Sequence, residues 1–395
     1  MRRNGAARCA RALAPWPVLL ILLVAYSCHH YVAAESSAYD TVRLEAIVAA
    51  WIAAGPGTRA PAVSIAVGTN GKLIFARGYG EARPGFPATD RTIYHIGSLT
   101  KQFTAATLLR LMQRGAKAPL SGKPLTVSTS VDEILRGFEG WNKHRRAPVT
   151  LRGLLTMTSG VPSLIGRPPP SANPWGTITS TLMLAHLRTL PLSGHGHVNA
   201  FSYSNSGYFL LTQLAEAIAA AEGEPRLFSH IVRSEVLSPA LLEDTGFVRE
   251  YTGTQLAVPS WGETPSYLRR PAFAEADWLK GAADMVSSAT DLFAWNKALF
   301  ENAILDEANT KLMFSPAARV SPARYYGMGW FIEYRADAEW LSHSGHVPGY
   351  TCLNSIVRYG HARDWISVSI LTNRENVRGL DKLTIELVQA LRPGL

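Results

Sequence analysis

The order of hydrophobic and polar positions divides this chain into stretches of different period. Over 40–54, Val42, Leu44, Ile47, Val48 and Trp51 recur at helical spacing, with Asp40 placed to cap the run and Gly55 to stop it. Residues 61–68 and 72–79 are strand-like and flank Asn70-Gly71, a dipeptide suited to the two left-handed positions of a tight hairpin. A helix is expected over 102–113, where Phe103, Ala106, Leu109, Leu111 and Met112 fall mostly on one face. From 115 to about 273, loops rich in Pro and Gly alternate with helical patterns at 149–158, 179–190, 206–221 and 228–236. Aromatic and β-branched runs at 325–334, 340–343, 350–357 and 365–372 predict strands, and 378–391 closes the chain as a helix.

That order implies an α+β fold. One antiparallel sheet is completed by both ends of the chain and flanked by N- and C-terminal helices, with a mostly helical lobe inserted. The sheet lobe is expected over 40–95 and 320–395 and the helical lobe over about 96–319, with a cleft where they meet.

Composition changes this picture little. With 47% hydrophobic and 17% charged residues among 395, the chain can bury a large core. The formal charge of +9 misleads, because Arg2, Arg3, Arg8 and Arg11 precede an apolar run at 18–26 and a small-residue site, Val32-Ala33-Ala34. This reads as an export signal over 1–34, leaving a mature chain 35–395 that is periplasmic or secreted. A membrane tether through the N-terminus, or a lipid on Cys28, is the less favoured alternative, and no span is expected in the mature chain. Once 1–34 is removed, 35 basic residues face 30 acidic ones. Their one dense cluster, Lys143-His144-Arg145-Arg146, lacks the stacking aromatics of a nucleic-acid surface and reads as a solvated loop. Cys352 is then the only thiol, so no internal disulfide is expected, and it reads as a small core residue.

The candidate chemistry begins at Ile96-Gly97-Ser98-Leu99-Thr100-Lys101. A serine at a helix mouth and a lysine three residues on share one side, one turn apart. The hydroxyl becomes a nucleophile only when a neighbour takes its proton, and a desolvated amine can do so. Taken alone, these residues fit equally an N-cap and a solvated lysine. Further along, Tyr203 and Asn205 lie two apart in Phe201-Ser202-Tyr203-Ser204-Asn205, a spacing that turns both to one side if the segment is extended. Either a Tyr203 phenolate is the general base, or Lys101 takes the proton and Tyr203 relays it. In Leu341-Ser342-His343-Ser344-Gly345-His346, a strand edge could pair with an extended substrate, Gly345 permitting close approach.

On these three motifs the chain resembles the serine β-lactamase-like hydrolases close to class C β-lactamases, DD-carboxypeptidases and esterases of the same fold. That branch uses Ser-x-x-Lys, Tyr-x-Asn and Lys/His-x-Gly, matched by Ser98/Lys101, Tyr203/Asn205 and His343/Gly345. Class A enzymes carry a related set. Leu154-Leu155-Thr156-Met157-Thr158-Ser159-Gly160, Tyr326-Gly327-Met328-Gly329-Trp330 and the stretch 281–295 match as well, so the resemblance runs from about 40 to 392. It implies that Ser98 is acylated, that Lys101 and Tyr203 share the proton work, and that Asn205 binds Lys101 and the substrate amide. The N–H groups of Ser98 and His346 would form an oxyanion hole. Two positions depart from the pattern: His343 stands where class C enzymes carry lysine, and Met157 replaces a common histidine. No metal or cofactor is implied, and His195-Gly196-His197 reads as loop. The expected function is hydrolysis of D-Ala-D-Ala-type peptides, β-lactams or small esters through an acyl-enzyme. A catalytically slow penicillin-binding or scaffolding module is the alternative.

Overall fold

The computed structural model of the protein describes residues 39–55, 62–142, 148–164, 179–192, 200–251, 256–258, 279–335, 337–360 and 364–395. The expectations placed on 1–34, Cys28, the 143–146 cluster and His195-Gly196-His197 lie outside the described residues.

Asp40 caps helix α1 (Thr41–Ala53), its carboxylate accepting from the Arg43 N–H at 2.9 Å. Strands β1 (Val63–Thr69) and β2 (Lys72–Tyr79) follow, joined by Asn70 at φ 48° and Gly71 at φ 78°, the left-handed pair that a tight hairpin demands. Two short strands, β3 (Glu81–Arg83) and β4 (Phe86–Pro87), form a ribbon. Another three, β5 (Tyr94–His95), β6 (Gly246–Phe247) and β7 (Met285–Ser287), form a small sheet centred on β7. The main sheet is completed by β8 (Ala318–Ser321), β9 (Arg324–Tyr326), β10 (Phe331–Arg335), β11 (Ala338–Val347), β12 (Tyr350–Tyr359) and β13 (Trp365–Thr372). Its order is β2-β1-β13-β12-β11-β10-β9-β8, with every pair antiparallel.

The remaining helices are α2 (Thr100–Gln113), α3 (Leu151–Leu155), α4 (Ser180–Thr189), α5 (Asn205–Ala221), α6 (Phe228–Val232), α7 (Ala289–Phe300), α8 (Glu307–Met313) and α9 (Leu380–Leu391). Because β1 has neighbours on both edges and both faces, it is buried throughout, and its period-two pattern sorts side chains between two cores. Val63, Ile65 and Val67 meet Leu44 and Val48 of α1 and Leu383 and Leu387 of α9. Ala66 belongs to the larger core, shared with the helical lobe and α7.

Two expectations about elements need correction. The run 325–334 is two strands, because Gly327-Met328-Gly329 turns the chain, with Gly329 at φ +83°. The helix over 102–113 does not bury a single face: Thr100 to Leu109 and Leu111 are all buried. It runs between the sheet and the helical lobe, and its polar residues survive burial by bonding inward. Thr104 donates to Gly281 O at 2.7 Å and Thr107 to Phe103 O at 2.8 Å. Gln102 accepts from Asn354 Nδ2 at 3.1 Å.

Candidate active site

Ser98 lies in a 3-10 turn, Gly97–Leu99, immediately ahead of α2. The turn is held from outside: Ile96 N–H donates to Met285 O at 3.1 Å and the Thr100 hydroxyl to Gly97 O at 2.7 Å. Gly97 sits at φ +52° against β11, where a Cβ would come within 2.8 Å of His346 N. Gly345 is tighter still, since a Cβ there would overlap the Ile96 carbonyl. The glycine expected to permit close approach therefore does so against the nucleophile's own turn, and it brings the His346 backbone beside Ser98.

Lys101, one turn into α2, is completely buried. Its Nζ lies 3.0 Å from Ser98 Oγ, 2.7 Å from Asn205 Oδ1 and 2.8 Å from Ala282 O. Burial holds its pKa well below the ordinary lysine value, against a smaller opposing pull from Asp284. A neutral amine has two N–H groups and one lone pair. Both carbonyl oxygens can only accept, so they take the two N–H groups and the lone pair is left facing the Ser98 hydroxyl.

Tyr203 completes the cluster. Its phenol is hydrogen-bonded to Ser98, and its ring centre is 4.8 Å from Lys101 Nζ. Burial raises the phenol pKa above its ordinary value, more than the Ser98 bond lowers it. The expected extended Tyr203–Asn205 segment is not what aligns this pair. Ser204 is the N-cap of α5, accepting from Gly207 N–H at 3.0 Å, and Asn205 is already helical. The helix start, not strand pleating, points Asn205 at Lys101.

His343 lies within reach of this group, its ring centroid 6.2 Å from that of Tyr203. Burial first, then the nearby Lys101, push its pKa down to about 3, so the imidazole is neutral. Nδ1–H donates to Ser344 O at 2.8 Å, which leaves Nε2 to accept from the Tyr326 hydroxyl at 3.3 Å. Both ring nitrogens are committed, and the partly charged histidine expected from its ordinary pKa is absent. His346 is exposed, so of the two histidines it is the backbone of His346 and the ring of His343 that face the cleft residues. Pairing between β10 and β11 ends at Phe331 opposite Ser342. Among the described residues, the His343–Val347 edge of β11 has no strand beside it there, as an edge meant for substrate requires.

Three participants escaped the sequence reading. Ala282 acts through its carbonyl, which no side chain announces. Asp284 accepts from Gly281 N–H at 2.9 Å and so shapes the turn presenting Ala282. Tyr326 was legible only as part of a strand.

A buried serine–lysine–tyrosine cluster at the seam of an antiparallel sheet and a helical lobe defines the β-lactamase/transpeptidase-like class of serine hydrolases. The Beta-lactamase family model matches residues 48–390, and the chain belongs to that family. PbpX of Bacillus subtilis, which carries a penicillin-binding-protein name, is 24% identical over 324 residues, 82% of this chain and 73% of its own. Protein flp of Staphylococcus aureus is 25% identical, and the chain spans only 58% of its length. The octameric penicillin-binding protein homologue of Pyrococcus abyssi superposes with a TM-score of 0.69 at 23% identity, covering 89% of this chain and 77% of that one. D-amino acid amidase from Ochrobactrum anthropi SV3 gives 0.68 at 21% identity, covering 89% and 98%. Both show a shared fold. No helix among the described residues is long and apolar enough to cross a membrane.

Proposed function

We propose that this protein is an exported serine hydrolase that forms an acyl-enzyme at Ser98. The observation that carries the reading is the buried Lys101 amine, placed 3.0 Å from Ser98 Oγ with its other two partners acceptors. Lys101 takes the Ser98 proton as Oγ attacks the substrate carbonyl. Tyr203, held as a neutral phenol against Ser98, relays a proton to the leaving group. The N–H groups of Ser98 and His346 receive the developing oxyanion, and Asn205 orients the substrate amide as well as Lys101. Water then cleaves the ester by the same route in reverse, and no metal enters any of these steps.

Among the three substrate classes, the site favours small amides and esters with an uncharged leaving side over D-Ala-D-Ala-type peptides and β-lactams. A neutral His343 with both nitrogens engaged offers no cation to a carboxylate where lysine would. The D-amino acid amidase of the same fold agrees with this order.

The test is covalent labelling with a fluorophosphonate and a fluorescent penicillin, followed by mapping of the modified residue. The fluorophosphonate is expected on Ser98, with Ser98→Ala unlabelled and folded. A folded wild type that resists both probes would instead establish a binding or scaffolding module. Parallel turnover of a p-nitrophenyl ester, a D-amino acid amide, a D-Ala-D-Ala peptide and a chromogenic cephalosporin ranks the substrates. Export through 1–34 is checked by the N-terminal sequence of the mature protein, expected at Glu35.

A further inference from the structure

Met157 has a backbone conformation that its side chain does not suit. Helix α3 ends in a Schellman turn, with Thr158 N–H donating to Gly153 O at 2.8 Å and Met157 N–H to Leu154 O at 3.4 Å. Met157 fills the left-handed position of that turn at φ +60°, where glycine is the usual occupant and a side chain is strained. The residue is nonetheless buried and fully engaged. Its carbonyl accepts from Ser202 N–H at 2.8 Å, and its sulfur accepts from Ser204 N–H at 3.2 Å. These are the two residues on either side of Tyr203. One methionine thus grips the backbone immediately before and immediately after the phenol that touches Ser98.

We propose that Met157 is a positioning residue for Tyr203, its backbone oxygen and thioether sulfur together fixing the segment that presents the phenol to Ser98. The inference rests on the acyl-enzyme reading given above. Glycine would relieve the turn and keep the Ser202 bond, but would leave Ser204 N–H without an acceptor. The strained position thus retains a long side chain ending in an acceptor, consistent with backbone strain collecting where it serves a site. Ser204 is itself the N-cap of α5, so the same sulfur also anchors the helix end that carries Asn205. Tyr203 and Asn205 reach Lys101 and Ser98 through a segment clamped from one side chain.

The experiment compares wild type, Met157→Leu and Met157→His, using the rate of fluorophosphonate labelling at Ser98, kcat and KM on a p-nitrophenyl ester, and Tm. Leucine keeps the buried volume and removes the acceptor. Histidine, which the resembling family carries here, restores one. The expected result is a fall of about tenfold or more in labelling rate and kcat for Met157→Leu, because small displacements of a catalytic group are costly. KM stays within about twofold, since the substrate's own contacts are intact, and Met157→His recovers most of the rate. Met157→Leu acting like wild type would overturn the inference. So would a loss that follows Tm and is not recovered by Met157→His, since that is packing. A wild type that does not label refutes the acyl-enzyme reading itself, and the role of Met157 with it.

Discussion

Lys101 combines two demands that oppose each other. Burial makes its amine a competent base, while the Asp284 charge favours the ammonium form. Asp284 is itself lifted to about 7 by burial, with Lys280 and Arg249 nearby pulling the other way and Lys280 already paired with Glu216 at 3.0 Å. Its carboxylate oxygen is also the acceptor that closes the Gly281–Asp284 turn. Asp284→Asn keeps that acceptor and removes the charge, so it isolates the electrostatic part. Lys101 must be neutral to act, so activity is lost as pH falls through its pKa. Removing a negative charge lowers that pKa, and the acid limb of the kcat/KM profile is expected to move down by about half a pH unit or more. An unmoved limb would show that Asp284 serves the turn alone.

At the scale of elements, β11 and the Gly97–Leu99 turn share one contact that sets the geometry of the proposed oxyanion hole. Gly345 permits it, since its hydrogen lies where any larger group would meet the Ile96 carbonyl. Gly345→Ala is expected to push β11 away from Ser98. It would cost about 2 kcal/mol in unfolding free energy and lower kcat by about 100-fold through the misplaced His346 N–H. Denaturant melts and turnover of the same preparation check both halves. Activity at wild-type level would place the oxyanion donors elsewhere. The Ser-x-x-Lys spacing was legible because a helical turn alone brings the two side chains together. The reach of β11 to Val347 was not, because Ser344, Gly345 and His346 carry little strand propensity and are held by pairing with Leu353, Cys352 and Thr351 of β12.

At the scale of the whole molecule, the sheet is closed by segments far apart in sequence. β1 pairs with β13 along its full length, from Val63 opposite Thr372 to Thr69 opposite Ile366, and α1 packs on α9. The last helix buries Leu380, Leu383, Leu387 and Val388 against the same face as Leu44 and Val48. Truncation after Gly379 removes these four side chains, each worth about 2 kcal/mol or more when lost from a core. The shortened chain is expected to be insoluble or to melt without a cooperative transition, although every proposed catalytic residue is still present. A cooperative, active truncate would show that the sheet lobe folds without its final helix.

Local sequence alone determined the caps, the Asn70-Gly71 hairpin, the order of helices and strands and the three short motifs, because each depends on neighbours within one or two turns of chain. It also determined that Ser98 and Lys101 share a side. What only the tertiary structure decided was ionisation and touch. Lysine, tyrosine and histidine have ordinary pKa values written in their chemistry, but burial between two lobes turned Lys101 into a base, kept Tyr203 a phenol and left His343 neutral. The meeting of Ser98, Tyr203 and Ala282, and the grip of Met157 on the tyrosine segment, join residues that only the closing of the fold brings within hydrogen-bonding distance. Desolvation and long-range contact exist only once the chain has packed, so no local pattern could record them.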